Sequence, residues 1–265
     1  MSEHLEHFEN RKKEFFGRII DTENYGDVYV FEHDSLQMMQ NRVWYARAPE
    51  ELTSEILNSY QNLKGNGRKS TKILAGDIQD EYMLQGSNGG DVLDSANKDL
   101  SFSDDKIKDS LDKIRDFIKS QIEDFFGMPI KSIDFRDTSC PGHLGEIENI
   151  WVNYMKPNEY NPIHNHTGVF SWVWYLDIPE EIRQEHKQQN SNSATRGLIS
   201  FLSSTGDPHI MFNPKTSDIF IFNSKHEHQV YPFYSDNTRI SMAGNVYRIE
   251  FENGDVIGTG QERKL

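Results

Sequence analysis

Residues 161–176 read NPIHNHTGVFSWVWYL, and this stretch decides how the rest of the chain is interpreted. His164 and His166 lie two positions apart, directly before a Thr-Gly turn and a hydrophobic strand. Because alternate side chains of an extended segment share a face, both imidazoles can point at one spot. Imidazole is the commonest protein ligand for transition metals such as zinc, iron and copper. The stretch therefore predicts a mononuclear metal site inside a β-barrel.

The composition of the 265-residue chain limits which partners are expected. Its 42 acidic and 28 basic residues give a formal charge of −14, so nucleic acid is not expected as a partner. Cys140 is the single cysteine, which excludes an internal disulfide. The N-terminal residues lack an apolar signal core, and no apolar run is long enough to span a bilayer. These features predict a cytoplasmic protein without a membrane partner.

The chain divides by pattern into two regions, a helix-rich region at 1–128 and a β-rich region at 129–265. The predicted helices of the first region are 1–20, Ser35–Trp44, Pro49–Leu63 and Asp104–Phe126, and Asp27–His33 is predicted as a strand. From Pro129 onward, short β-rich runs separated by turn residues predict a sandwich or barrel. Gln85–Ala96 is predicted as a loop, and Glu180–Arg196 as a polar, mobile insertion.

The strand FSWVWYL has large apolar side chains on both faces. Val173 and Tyr175 lie on one face, and Trp172 and Trp174 lie on the other. A sheet with aromatic residues on both faces must be covered on its outside as well as its inside. The amphipathic helix predicted at Asp104–Phe126 is the expected cover, so the N-terminal region is predicted to pack on the barrel.

A third histidine for the metal site lies in the segment KHEHQVYP. His226 and His228 share a face of this segment, so either could be the ligand. His228 is favoured because Val230 and Pro232 continue a strand from it.

The last predicted strand, RISMAGNVYRIEF, directs a cation toward the barrel interior. Arg239 and Ser241 alternate with apolar residues that can pack outward. A buried guanidinium requires an anionic partner, and arginine can bind a carboxylate through two hydrogen bonds. An internal salt bridge is the alternative explanation for this arginine.

The order of these motifs resembles that of a known enzyme family. His-x-His, a distal histidine in F-x5-H-x-V-x-P, and Arg-x-Ser together are similar to the Fe(II)/2-oxoglutarate-dependent oxygenases of a type common in bacteria and phages, and more remotely to prolyl-hydroxylase-type enzymes. The resemblance covers Ile147–Val246. It implies an α+β fold, in which a double-stranded β-helix (a jelly-roll or cupin-like barrel) is flanked by N-terminal helices.

The resemblance also implies an activity and a set of site residues. The protein would be a dioxygenase that hydroxylates a small molecule or a peptide and releases succinate and CO2. His164, His166 and His228 match the positions that bind Fe(II), and Arg239 and Ser241 match those that bind the distal carboxylate of 2-oxoglutarate. Three further residues match positions around the cosubstrate pocket, namely Tyr154, Tyr175 and Asn245.

His166 departs from the usual family pattern, because Asp or Glu commonly occupies that ligand position. Two other functions therefore stay open. One is a three-histidine cupin-type metalloenzyme that does not use 2-oxoglutarate, and the other is a non-catalytic barrel that binds a ligand. The sequence indicates neither the substrate nor the oligomeric state.

Overall fold

A computed structural model of the chain describes residues 19–21, 28–32, 42–60, 68–69, 74–84, 105–138, 148–188, 195–202 and 208–258. The strands in these ranges are β1 (Ile19–Asp21), β2 (Val28–Glu32), β3 (Arg42–Arg47), β4 (Arg68–Lys69), β5 (Glu81–Met83), β6 (Ile130–Asp134), β7 (Ile150–Met155), β8 (Asn161–His164), β9 (Phe170–Asp177), β10 (Ile199–Leu202), β11 (Pro208–Asn213), β12 (Asp218–Asn223), β13 (His228–Val230), β14 (Arg239–Val246), β15 (Arg248–Phe251) and β16 (Val256–Gly258). The helices are α1 (Glu50–Tyr60), α2 (Asp105–Phe126), α3 (Glu180–Gln184) and a 3₁₀ turn at Glu185–Gln188.

The strands from β7 to β14 are distributed between two sheets. The larger sheet has the order β2-β3-β12-β9-β14-β7-β5-β4, and the smaller has the order β1-β11-β10-β13-β8. As the chain runs from β7 to β14 it passes repeatedly between the two sheets, which is the winding of a double-stranded β-helix. The predicted fold class is therefore confirmed. A third sheet, of order β16-β15-β6, joins β6, which precedes the barrel strands, to β15 and β16, which follow them.

The inner faces of the two sheets pack through aromatic side chains. Phe220 of the larger sheet lies 4.6 Å from Phe212 and 6.3 Å from Phe201 of the smaller sheet, measured between ring centroids. All three rings are fully buried. This aromatic cluster forms the core between the two sheets, and its Phe201 ring also lies 5.9 Å from the ring of His228.

Helix α2 covers the outer face of the larger sheet, as the sequence predicts. Its residues Ile114, Ile118 and Ile122 are at most 1% exposed and belong to the same buried cluster as Trp172 and Trp174 of β9. Burial of each such side chain contributes about 1.5–3 kcal/mol. The ring centroids of Phe117 and Trp174 are 5.1 Å apart, so the helix and the strand pack directly against each other.

Two predictions for the N-terminal region are wrong where the structure describes it. The predicted helix at Ser35–Trp44 ends inside β3, which pairs with β12 so that Trp44 faces Ile221. Aromatic and β-branched residues in RVWYAR favour a strand buried on both faces over a helix. The predicted helix at 1–20 also fails at its end, because Ile19–Asp21 forms β1, parallel to β11; its other residues lie outside the described ranges.

Glu180–Arg196 is not wholly the polar, mobile insertion predicted from its composition. Its first nine residues form α3 and the 3₁₀ turn, and Ile182 and Arg183 are buried. The Glu185 carboxylate accepts hydrogen bonds from the backbone nitrogens of Tyr234 and Ser235, which fixes the turn to the following loop. The predicted loop at Gln85–Ala96 lies outside the described residues.

Residues before 129 extend the larger sheet at both of its edges. Strands β2 and β3 continue it beyond β12, and β5 and β4 continue it beyond β7. The N-terminal region thus adds strands as well as helices to the barrel. The division into regions 1–128 and 129–265 stays a prediction. Among the described helices, none combines the length and the apolar character that a membrane span requires.

Candidate metal centre and its cavity

Three histidine rings converge on one cavity of the barrel. His164 on β8 pairs directly with His228 on β13, and their ring centroids are 4.3 Å apart. The His166 centroid lies 4.8 Å from that of His164 and 5.1 Å from that of His228. One ring nitrogen of each histidine lies within 4.8 Å of those of the other two. Small ring rotations would therefore let all three nitrogens reach one metal ion at about 2.0–2.1 Å, the length of an imidazole–metal bond.

Hydrogen bonds to backbone carbonyls orient two of the three rings. His164 Nδ1 lies 2.7 Å from the Pro162 carbonyl oxygen, and His228 Nδ1 lies 3.0 Å from that of His226. A carbonyl oxygen can only accept, so each Nδ1 carries the hydrogen and each Nε2 keeps its lone pair. This is the outer-shell arrangement that fixes a metal-binding tautomer.

Burial keeps the three imidazoles neutral. Desolvation lowers the pKa of His164, and it lowers the pKa of His228 well below its usual value, to which the neighbouring histidines contribute. Burial, with His164 and Lys225 nearby, lowers the pKa of His166 to about 3. A metal ligand must be deprotonated, so these rings are ready to bind a cation at neutral pH.

A tight turn at Gly168 sets the position of His166. Gly168 has a φ of 97°, and a Cβ there would lie 2.8 Å from the Val246 carbonyl oxygen. The His166 backbone nitrogen donates a 2.7 Å hydrogen bond to the Ser224 carbonyl oxygen. Glycine permits the left-handed conformation and the close approach of the backbones that this turn requires.

The structure places His228, and not His226, beside His164 and His166. His226 is buried with its Nε2 at 3.1 Å from the Leu202 carbonyl oxygen and its ring 5.3 Å from Phe201, away from the triad. His228 belongs to the three-histidine group, which contains no carboxylate among the described residues. The neutral ligand set predicted from the sequence is therefore the one that the structure brings together.

Arg239 points into the same cavity and has no carboxylate partner among the described residues. Its side chain lines the cavity with the three histidines and is 2% exposed. Nη1 donates to the Gly197 carbonyl oxygen at 2.9 Å, Nη2 contacts Met155 Sδ at 2.6 Å, and Nε has no hydrogen-bond partner. Burial lowers the pKa of Arg239, but a guanidinium stays charged. The internal salt bridge considered for this arginine is thus not found in the described structure.

Tyr175 and Ser241 line the cavity beside Arg239, as predicted. The Arg239 guanidinium carbon is 5.8 Å from the centroid of the Tyr175 ring, and the Tyr175 hydroxyl is buried without a hydrogen-bond partner. Burial raises the pKa of Tyr175 to about 12, so its hydroxyl remains a donor. A cation and two hydroxyls around one cavity are the groups that bind a carboxylate.

Tyr154 and Asn245 do not line this cavity. The Tyr154 hydroxyl donates to the Tyr60 carbonyl oxygen and the ring packs beside Tyr82, on the outer side of the larger sheet. The Asn245 amide instead bonds Ser171 and Asn149. Both placements correct the sequence prediction, because Tyr154 alternates out of the barrel and Asn245 lies further along β14.

Asn153 is a cavity residue that the sequence analysis missed. It pairs with Ser241 across β7 and β14, and its Nδ2 lies 3.5 Å from Ser241 Oγ. Its Oδ1 is buried without a hydrogen-bond partner. The available signal was a single amide within IWVNYM, where every position is buried.

Together the fold and the site define a double-stranded β-helix in which three histidines that could hold a metal ion lie in one cavity with a buried arginine. Residues 149–245 match the family described as "Putative 2OG-Fe(II) oxygenase". This segment is less than half of the chain and contains every predicted site residue, and the family that it matches consists of oxidoreductases that use Fe(II) and 2-oxoglutarate. The family and the cofactors predicted from the sequence are confirmed at this level. No curated protein matches the chain.

Several solved structures are similar to this chain at low sequence identity. An oxidoreductase of the 2OG-Fe(II) oxygenase family from Burkholderia pseudomallei is 16% identical over 53% of this chain and 57% of its own, with a TM-score of 0.37. A Trichoplax adhaerens prolyl hydroxylase was solved in complex with a hypoxia inducible factor peptide fragment. It is 13% identical over 92% of this chain and 91% of its own, with a TM-score of 0.41. A Pseudomonas putida prolyl-4-hydroxylase is 12% identical over 76% of this chain and 91% of its own, with a TM-score of 0.43.

Proposed function

We propose that this protein is a hydroxylase in which His164, His166 and His228 bind Fe(II) and Arg239 binds the distal carboxylate of 2-oxoglutarate. The observation that carries the proposal is the unpaired charge of Arg239. A buried guanidinium without an anion is costly, and it lies in one cavity with three neutral imidazoles. A dicarboxylate that also binds the metal would compensate this charge.

Different side chains would bind the distal carboxylate of 2-oxoglutarate and the metal ion. Arg239 has a free Nε, and together with the Tyr175 hydroxyl and Ser241 it can donate to the distal carboxylate. When bound, iron and 2-oxoglutarate supply the oxidising chemistry, in which O2 is consumed, succinate and CO2 are released, and a substrate carbon is hydroxylated. The three histidines act as ligands and take no part in acid–base steps.

The walls around the triad exclude water. Trp151, Val173 and Phe222 line the cavity, and the Trp151 ring centroid is 5.8 Å from that of His166. Removing water strengthens the electrostatic interactions of the site and protects reactive species from side reactions. The neutral ligand set leaves the iron one unit more positive than a set with one carboxylate, which favours binding of the dianionic cosubstrate.

The substrate is a small molecule or a peptide. Tyr160 and Ile163, which are 40% and 52% exposed, lie within four residues of His164 and offer apolar surface beside the centre. A cytoplasmic location is also part of the proposal, and the single cysteine supports it.

The direct test is the formation of succinate from 2-oxoglutarate in the presence of Fe(II) and O2. We expect the wild-type protein to convert 2-oxoglutarate slowly even without its substrate. His228→Ala should abolish this conversion, because it removes a metal ligand. His226→Gln is the matched control, since it alters a buried histidine two positions away that is not a ligand. Equal succinate formation by wild type and His228→Ala would contradict the proposal.

A further inference from the structure

A row of polar side chains crosses the inner face of the larger sheet toward the cavity. Glu81 on β5 pairs with Asn153 on β7, Asn153 pairs with Ser241 on β14, and Ser241 pairs with Tyr175 on β9. Residues paired directly across antiparallel strands project to the same side of a sheet. Since Asn153, Ser241 and Tyr175 line the cavity, the Glu81 side chain lies on the cavity side, one strand further out.

Glu81 is buried without the partners that a buried carboxyl group usually has. It is 1% exposed, and its Oε2 has no hydrogen-bond partner. The neighbouring ionisable group that acts on it is Glu159, a second acid, which disfavours the ionised form of Glu81. The ammonium group of Lys156 pairs with Asp80 at 2.7 Å. Fold stability gives no reason for an acid here, because an apolar side chain would be cheaper to bury.

Two amide oxygens next to Glu81 also lack donors. Asn153 Oδ1 and Asn161 Oδ1 are buried without hydrogen-bond partners, and both residues line the cavity with the three histidines. A Cβ at Gly76 would lie 2.1 Å from Asn161 Oδ1 and 3.0 Å from Glu81 Oε1, so these two oxygens approach the same glycine. One wall of the cavity therefore carries several acceptors without matching donors.

We propose that Glu81, Asn153 and Asn161 bind a cationic nitrogen group of the substrate, a guanidinium or a primary ammonium. Such a group supplies several N–H donors and a positive charge, which together satisfy the three acceptors. The same reasoning applies to both charged residues. Arg239, a cation without an anionic partner, would bind the anionic cosubstrate, and Glu81, an acid without a cationic partner, would bind the cationic substrate. This inference rests on the proposed function, because it concerns the substrate of the same site.

The electrostatic state of Glu81 supports this assignment. Burial, and to a lesser degree Glu159, raises the pKa of Glu81 to about 8. A cation entering the site would favour the ionised carboxylate, so binding would be coupled to proton release at neutral pH. A neutral amide or hydroxyl would gain no such charge compensation.

The inference can be tested with two matched pairs of small probes on the protein loaded with Fe(II) and 2-oxoglutarate under anaerobic conditions. One pair is N-acetyl-arginine amide and its neutral isostere N-acetyl-citrulline amide, and the other is N-acetyl-lysine amide and N-acetyl-norleucine amide. Calorimetric titration gives the dissociation constants. We expect at least one cationic probe to bind about tenfold or more tightly than its neutral partner, as a charge-assisted hydrogen bond to a buried acid provides.

Glu81→Gln keeps the shape of the side chain and removes the charge, so it should reduce this preference to about one. Asp80→Asn is the control, because it removes a charge from the adjacent residue, whose side chain contacts Lys156 and Tyr82. The inference is overturned if neither cationic probe binds, if neutral probes bind as tightly, or if the preference survives in Glu81→Gln. Failure of the loading step itself, without a visible Fe(II)–2-oxoglutarate band, would contradict the proposed function instead.

Discussion

At the scale of single residues, the site consists of charges and acceptors that the fold leaves unsatisfied. Arg239 lacks an anion, Glu81 lacks a cation, and the Tyr175 hydroxyl lacks an acceptor in the described structure. Burying such groups destabilises a protein unless a ligand completes them. Their concentration around three neutral histidines is the physical reason for assigning binding roles to them.

Replacing Arg239 should selectively weaken the binding of 2-oxoglutarate. Arg239→Met removes the buried cation while keeping a long side chain, and we expect the dissociation constant for 2-oxoglutarate to rise about 10- to 100-fold. Iron binding should change little, since Arg239 is not a ligand. Arg248→Met, at a half-exposed arginine on β15, is the control and should leave the cosubstrate affinity unchanged. Unchanged affinity in Arg239→Met would remove this residue from the binding site.

Glu81 should make the stability of the protein depend on pH. Its pKa is raised to about 8 in the folded state, whereas an unfolded chain ionises it near its usual value. The folded state therefore keeps the proton up to a higher pH than the unfolded chain does. Stability is lost as the pH rises from the usual glutamate pKa to about 8. Glu81→Gln removes this loss. The unfolding free energy of the variant relative to the wild type should therefore increase by about 3 kcal/mol between pH 5 and pH 8. Urea denaturation at both pH values measures it; an equal gain at both would contradict the raised pKa.

At the scale of elements, helix α2 packs on the outside of the barrel, and none of its described residues lines the cavity of the three histidines. Ile118→Ala should lower the unfolding free energy by about 2–5 kcal/mol, because it leaves a cavity between the helix and the larger sheet. Asp116→Ala, on the exposed side of the same helix, should change it by less than about 0.5 kcal/mol. Iron affinity should be the same in both variants at a temperature where both are folded. A loss in Ile118→Ala no larger than in Asp116→Ala would show that α2 is not packed as described.

The turn after β8 connects backbone strain to the metal site. Gly168→Ala forces a Cβ against the Val246 carbonyl oxygen at a positive φ, which should cost about 1–3 kcal/mol and displace His166. We expect the Fe(II) affinity to fall by about tenfold or more, measured by competition with a chelator. Gly254→Ala is a matched control, because its φ is 89° but no atom lies within 4 Å of the new Cβ. It should reduce stability without changing the iron affinity.

Sequence alternation predicted the elements that depend on local pattern. Helix α2, strand β7, strands β9 to β14 and the inward face of β14 follow from spacing, as does the shared direction of the His164 and His166 side chains. Predictions failed where long-range pairing decides the outcome. Trp44 is in a strand because it pairs with β12, and Glu81 approaches the cavity because β5 pairs with β7. Tyr154 was misplaced because its face depends on the register of Asn153 with Ser241.

At the scale of the whole molecule, the two sheets divide the site between them. His164 and His228 belong to the smaller sheet, whereas Arg239, Tyr175 and Glu81 belong to the larger. The distance between the three histidines and Arg239 is therefore set by how the two sheets pack. The aromatic contacts of Phe220 with Phe201 and Phe212 fix this packing, so the barrel presents its ligand groups already arranged.

The measurement that tests the account most directly is an anaerobic titration of the metal-free protein with Fe(II) and 2-oxoglutarate, followed by visible absorption. We predict that the charge-transfer band of the iron–2-oxoglutarate chelate develops in the wild type, is lost in His228→Ala, and requires more 2-oxoglutarate in Arg239→Met. Iron bound by the wild type without any such band would contradict the account, and would indicate a three-histidine metal centre that does not bind 2-oxoglutarate.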